Sequence, residues 1–165
     1  MSKNYKNEDF LSKKGIIHFV LIHSYLIYFF AIILAVFFDI FIPTVFFQNP
    51  VFQEIGIILI ILGTVLVFWA QSSSNSSSKK TNFKNLTVKS FENGPYKYFP
   101  NPTHLGLFIM TLGLGFIINS PFSIVFVIIA HILVRLIFVE KQEKLLERKY
   151  GETYLKYKNK FNKWL

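Results

Sequence analysis

The stretch "IIHFVLIHSYLIYFFAIILAVFF", residues 16–38, runs for 23 residues without a formal charge. As a helix it would extend about 35 Å at about 1.5 Å per residue, more than the roughly 30 Å of a bilayer's hydrocarbon core. A secretory signal has a shorter apolar segment closed by a small-residue cleavage site. Here the run is followed by Asp39, Pro43 and "QNP", which read as a turn. Three more apolar runs follow. Residues 51–71 centre on "IGIILIILGTVLVFWA", 102–118 begin at Pro102, and 121–139 read "PFSIVFVIIAHILVRLIFV". Proline is tolerated in a helix's first turn, so Pro102 marks a start, and "NSP" between the last two runs marks a tight turn. The expected fold is all-α: one polytopic membrane domain over residues 1–165, with four transmembrane helices and a tail at 140–165. A composition that is 52% hydrophobic agrees, as does a mean hydropathy of +0.41.

Charge orients the spans. Of 18 Lys and Arg, four precede the first span, five lie between the second and third, and eight follow the fourth, while Arg135 sits near the fourth span's end. The short turns joining spans one to two and three to four hold none. Cationic loops stay on the cytoplasmic side, so both termini and the loop "QSSSNSSSKKTNFKNLTVKSFEN" are expected there. The sequons at Asn75 and Asn85 fall in that loop, away from glycosylation. The net charge of +9, in so apolar a chain, points to anionic lipid headgroups rather than nucleic acid. The heavy use of Lys, Asn, Ile and Phe suggests a bacterial inner membrane. Cysteine is absent, which removes disulfides, Cys-bound zinc and a thiol nucleophile. No metal site is expected, since His18 and His23 are five apart rather than the four that place two ligands on one helix face.

In the tail, Leu146, Tyr150, Tyr154, Tyr157, Phe161 and Trp164 recur at steps of three and four, with Lys156, Lys158, Lys160 and Lys163 mostly between them. This pattern reads as a basic amphipathic helix lying on the headgroup layer. Gly56 and Gly63 in span two, and Gly106 and Gly113 in span three, form small-residue stripes where helices can approach closely. His131 and Arg135 are four apart and share a face of span four. An intramembrane ionisable group is costly, so it suggests function, against the plainer reading of an arginine that snorkels to the interface. His104 lies one turn inside span three at the same expected depth, and Glu140 and Glu143 follow span four directly. These groups are expected to converge on a polar pocket open to an aqueous cofactor on one side and to lipid on the other.

Two stretches together carry a family resemblance. "GPYKYFPNPTHLG", residues 94–106, resembles the threshold motif G-P-Y-basic-x-x-R-H-P-x-Y-x-G of the integral-membrane methyltransferases that include isoprenylcysteine carboxyl methyltransferase and the phospholipid N-methyltransferases. The tail "EKLLERKYGETYLKYKNKFNKWL" resembles that family's ending. The resemblance covers residues from about 86 to 165. It implies S-adenosylmethionine as cofactor and methyl transfer to a carboxylate, amine or thiol on a lipophilic small molecule or lipid. It implies cofactor contacts from Asn101, Pro102, Gly106, Glu140 and Glu143. Tyr96 and Tyr98 would be aromatic walls for the sulfonium. His104 would be the base that an amine acceptor needs, with Arg135 beside it. Gly94, Pro95, Tyr96, Lys97, Pro102 and Gly106 match the motif. Pro100, Asn101 and His104 stand where it has Arg, His and Tyr, and Gln142 replaces one member of an acidic pair. These departures favour an alternative, a membrane scaffold of the same fold without activity.

Reporter fusions test the topology. Fusions at residues 75 and 165 should read cytoplasmic and one near residue 48 external. An external signal at residue 75 would overturn the four-span arrangement.

Overall fold

The computed structural model describes residues 13–42, 49–80 and 88–161, and every regular element among them is helical. The elements are α1 (Lys13–Phe41), α2 (Val51–Lys80), α3 (Pro102–Ile118), α4 (Pro121–Val134), α5 (Glu140–Tyr150) and α6 (Glu152–Asn159). Short 3-10 turns at Val88–Ser90 and Gly94–Lys97 lead into α3, and a π turn over Arg135–Val139 joins α4 to α5.

Ile22–Phe41, Val51–Ser74 and Pro121–Arg148 are long and apolar enough to cross a membrane, whereas α3 is a shorter apolar helix. Its 17 residues reach about 25 Å at about 1.5 Å each, a few ångströms less than a hydrocarbon core. The expected four full spans therefore appear as three long apolar helices and one short one. The short one is the most enclosed, with Thr103, His104, Gly106, Leu107, Thr111, Gly113 and Gly115 buried along its length. By contrast α1 and α2 turn Phe29, Phe30, Ile61 and Phe68 outward.

Glycine sets the α2–α3 contact. A Cβ on Gly56 would meet the Gly113 carbonyl oxygen at 2.6 Å, and one on Gly63 would meet the Gly106 carbonyl oxygen at 2.6 Å. The contacts are reciprocal, since added carbons at Gly113 and Gly106 would meet the carbonyls of Gly56 and Gly63. Seven-residue spacing on two antiparallel helices thus pairs all four glycines, and backbone packs on backbone. The buried Thr111 hydroxyl is satisfied on its own helix by the Leu107 carbonyl at 2.7 Å. The "NSP" turn also forms as read. Asn119 takes a left-handed conformation at φ 59°, and the Ser120 hydroxyl accepts from the Ser123 amide at 3.0 Å to cap α4. On the other side of α3, α4 packs with α1 around Tyr28, Ala31, Val127, Ala130 and Val134.

Two segments depart from the sequence reading. The serine-rich stretch, expected as loop from residue 72, continues as helix to Lys80. Nothing in it breaks a helix, and its first turn is docked: Asn93 Nδ2 donates to the Ser73 carbonyl at 3.3 Å. The last span does not stop at Val139 either. The helix continues through Glu140 to Tyr150 and breaks only at Gly151, whose φ of 57° favours glycine. The tail's aromatic face, expected on the headgroup layer, is buried inside the protein, where Tyr150, Tyr154, Tyr157 and Phe161 pack with Val88, Phe91 and Leu146. Trp164 and Lys163 lie outside the described residues, as do Pro43 and Asn85.

Gly63→Val should lower stability by about 1–3 kcal/mol through overpacking at the α2–α3 contact. The outward-facing Leu62→Val should change it little. Unfolding in detergent with increasing denaturing surfactant compares the two, and equal effects would contradict the contact.

Candidate active site

The approach to α3 is held from two sides. Gly94, at φ 57°, lies against Ser73 and Trp69 of α2, where a Cβ would collide with the Ser73 side chain. The Tyr96 hydroxyl interacts with the Thr103 and Ser74 side chains, and burial raises its pKa, so it remains a neutral phenol. From the opposite side the Tyr157 hydroxyl of α6 donates to the Tyr96 carbonyl at 2.7 Å, and Lys160 Nζ lies 2.8 Å from Glu92. The threshold is thereby wedged between α2 and the tail. Asn101 is left at the mouth of α3, with Pro102 opening the helix and His104 buried in its first turn.

The π turn brings the other wall. The Glu140 amide bonds to the Arg135 carbonyl, five residues back, so one extra residue is accommodated without breaking the helix. Arg135, Glu140 and Glu143 then line the same cavity as Asn101 and His104, a space of about 380 Å³. Asn101 Nδ2 donates to Glu143 Oε1 at 3.1 Å. The second oxygen of Glu143 is 2.9 Å from Lys158 Nζ, which also contacts Glu147 at 2.7 Å. Hydrogen bonding to Glu147, then to Glu143, raises the Lys158 pKa above the usual lysine value. Phe99, Leu105, Val134, Leu136 and Phe161 supply apolar wall. His104 lies beside Gln142, and its Nδ1 and the Gln142 Oε1 are buried without a well-formed hydrogen bond.

Five of the nine residues singled out from sequence therefore meet at one cavity: Asn101, His104, Arg135, Glu140 and Glu143. The other four do not line it. Tyr96 faces Ser74 and Thr103, and Tyr98 is turned outward, 61% exposed. Pro102 is fully buried as the helix start, and Gly106 lies against Gly63 and Val67 of α2. These positions build the site's frame rather than its surface. Lys158 and Phe161 line the cavity without having been singled out as site residues, and His131, expected at the pocket though given no role there, lines it too. His131 shared a helix face with Arg135, which was the available signal. Lys158 looked like one of several cations on a solvated face. His131 Nδ1 lies 2.9 Å from the Tyr28 hydroxyl, and its ring centroid is 4.2 Å from that of Phe108.

A bundle with three long apolar helices and a polar cavity walled by a short one is the architecture of an integral membrane protein with an internal site. The phospholipid methyltransferase family matches residues 51–153, from the start of α2 into α6, and the chain belongs to that family. No curated protein and no solved structure matches it. Helix α1 lies outside the matched segment.

The raised Lys158 pKa has a definite sign. A lysine whose folded pKa lies above its unfolded value contributes stability fully below about 10.5, and loses it as pH rises through the folded pKa. The α6 attachment should persist past the ordinary lysine titration and then loosen. Lys158→Met should abolish that alkaline step. Limited proteolysis of the tail against pH, in wild type and variant, measures it, and identical profiles would refute the contribution of Lys158.

Proposed function

We propose that the protein transfers a methyl group from S-adenosylmethionine to a lipophilic acceptor at the cavity between α3, α4 and the tail. The observation that carries this reading is the meeting of Asn101, His104, Arg135, Glu140 and Glu143 around one space with apolar walls, in a chain of the phospholipid methyltransferase family. The cavity is proposed to open at the cytoplasmic face, with both termini on that side of a bacterial inner membrane and α3 as a short fourth crossing. The one-sided Lys and Arg distribution supports that placement.

The residues present fit the cofactor. About 380 Å³ lies within the roughly 300–1,000 Å³ typical of small-molecule clefts. Glu140 and Glu143 suit an ammonium group, and a carboxylate already holding two partners retains lone pairs for another. His104 lines the cavity, and its buried Nδ1 has no well-formed hydrogen bond. When bound, S-adenosylmethionine supplies an electrophilic methyl on its sulfonium. Asn101 and Lys158 hold Glu143 in place, and Phe99, Leu105 and Phe161 exclude water. His104 takes the proton from an amine acceptor, whereas a carboxylate acceptor needs no base. Binding and alignment supply most of the rate enhancement.

A second reading, an inactive scaffold, draws support from the Lys158 ammonium against Glu143, the position the cofactor's own ammonium would take. Pro100 and Asn101, in place of Arg and His, point the same way. Titrating S-adenosylmethionine into the detergent-solubilised protein separates the two readings, since an inactive scaffold shows no binding.

Glu143→Gln should weaken cofactor affinity about tenfold to a hundredfold, the loss of one charge-assisted contact. His104→Phe should lower turnover about a hundredfold with cofactor affinity retained. Calorimetry and methylation of a lipid extract with labelled cofactor test both. If neither variant changes binding or turnover, the cavity is not the reaction site.

A further inference from the structure

We infer that His131 and Arg135 form an anion site on α4 that takes the phosphodiester of a phospholipid headgroup, with Tyr28 of α1 fixing the histidine for that task. The assignment rests on the cavity being the reaction site, and it adds the residues that would select the lipid.

Three observations carry it. First, Arg135 lines the cavity, and among the described residues no carboxylate lies within ion-pair distance of it. The cavity's other described cation, Lys158, is held by Glu143 and Glu147. An exposed arginine fork at a cavity wall, without an acid partner, is suited to an anion that arrives with a ligand. Second, His131 is one helical turn from Arg135 on the same face and lines the same cavity. Third, the Tyr28–His131 contact favours one tautomer of His131 over the other. Tyr28 is only 2% exposed, and its hydroxyl has one partner among the described residues, His131 Nδ1 at 2.9 Å. A buried phenol hydrogen needs an acceptor, and Nδ1 is the acceptor at hand, so Tyr28 donates. The neutral imidazole then carries its hydrogen on Nε2. With Phe108 tilted against its ring, His131 has its Nε2 hydrogen left for a ligand in the cavity that it lines. It is not a base there, and that role stays with His104.

The cavity thus holds both signs of charge, Arg135 with His131 one turn before it on α4, and Glu140 and Glu143 beyond the π turn. A phospholipid whose headgroup ends in an amine also carries both, a phosphate and an amine a few atoms beyond it. Helix α1 lies outside the family-matched segment, which begins at residue 51, yet it supplies the hydroxyl that meets His131.

The test uses the full chain in an uncharged maltoside detergent and three probes: short-chain phosphatidylethanolamine, dodecylamine as an amphiphilic amine without phosphate, and inorganic phosphate. Arg135→Met and His131→Phe should each weaken the short-chain phospholipid about tenfold to a hundredfold. Both should leave dodecylamine affinity unchanged, since that probe has no phosphate. Tyr28→Phe keeps the packing and removes the donor, so it should weaken the same probe a few-fold, with the His131 nitrogen-15 shifts moving away from the Nε2–H tautomer. Equal losses for dodecylamine would overturn the inference. So would loss of cofactor affinity with lipid binding intact, which would give the pair to the cofactor's carboxylate. Inorganic phosphate binding as tightly as the lipid would reduce the site to a general anion trap. If the lipid binds as described but S-adenosylmethionine does not, the methyltransferase reading falls and the phosphodiester site stands.

Discussion

The approach of two helix backbones at four glycines governs where everything else lies. Helix α3 is too short to anchor itself by length, and it is enclosed on both sides. What fixes its height and rotation is the meeting of Gly106 with Gly63 and of Gly113 with Gly56. In lipid, apolar side chains gain little by leaving one apolar surrounding for another, so close packing carries more of the helix association than it does in water. Once α3 is set, Asn101 and His104 have their positions, because both lie in or beside its first turn.

A second layer of order comes from the tail. Its tyrosines surround Phe91, with ring centroids 5.2 Å away for Tyr150 and 5.7 Å for Tyr154 and Tyr157. The polar rims of that cluster make directed contacts, Tyr157 with the Tyr96 carbonyl and Lys158 with Glu143. One short helix therefore closes an aromatic core on one face and a carboxylate network on another. The arrangement makes the threshold, the cavity floor and the tail one cooperative unit at the end of the bundle.

Much of this was legible in the sequence. The glycine stripes announced the α2–α3 contact, Pro102 and "NSP" marked helix starts, and five cavity residues emerged from depth and family motif together. What stayed hidden depended on distant partners. Tyr28 sits among many aromatics in an apolar run, and nothing local distinguishes it from a lipid-facing ring. Its partner lies 103 residues away. The tail's aromatic stripe read as a helix lying on the headgroup layer, but periodicity cannot say whether an apolar face meets lipid or protein, and Phe91 decided that. The serine run read as loop because serine is polar. Yet serine is only a middling helix former, and a long preceding span with a docked first turn is enough to carry the helix onward.

The π turn between Arg135 and Glu140 makes the protein sensitive to chain length at one place. Each residue of an α-helix advances the face by about 100°. Loss of a single residue between 135 and 139 would let the helix relax to ordinary winding, and would swing Glu140, Glu143 and Glu147 about a quarter-turn around the axis. The carboxylates would leave the cavity, Lys158 would lose both its partners, and the tyrosine cluster would lose its register with Phe91. A one-codon deletion of Ile137 or Phe138, neither of which lines the cavity, would therefore be more damaging than most substitutions there. The number of residues in this turn constrains the site as much as their identity does.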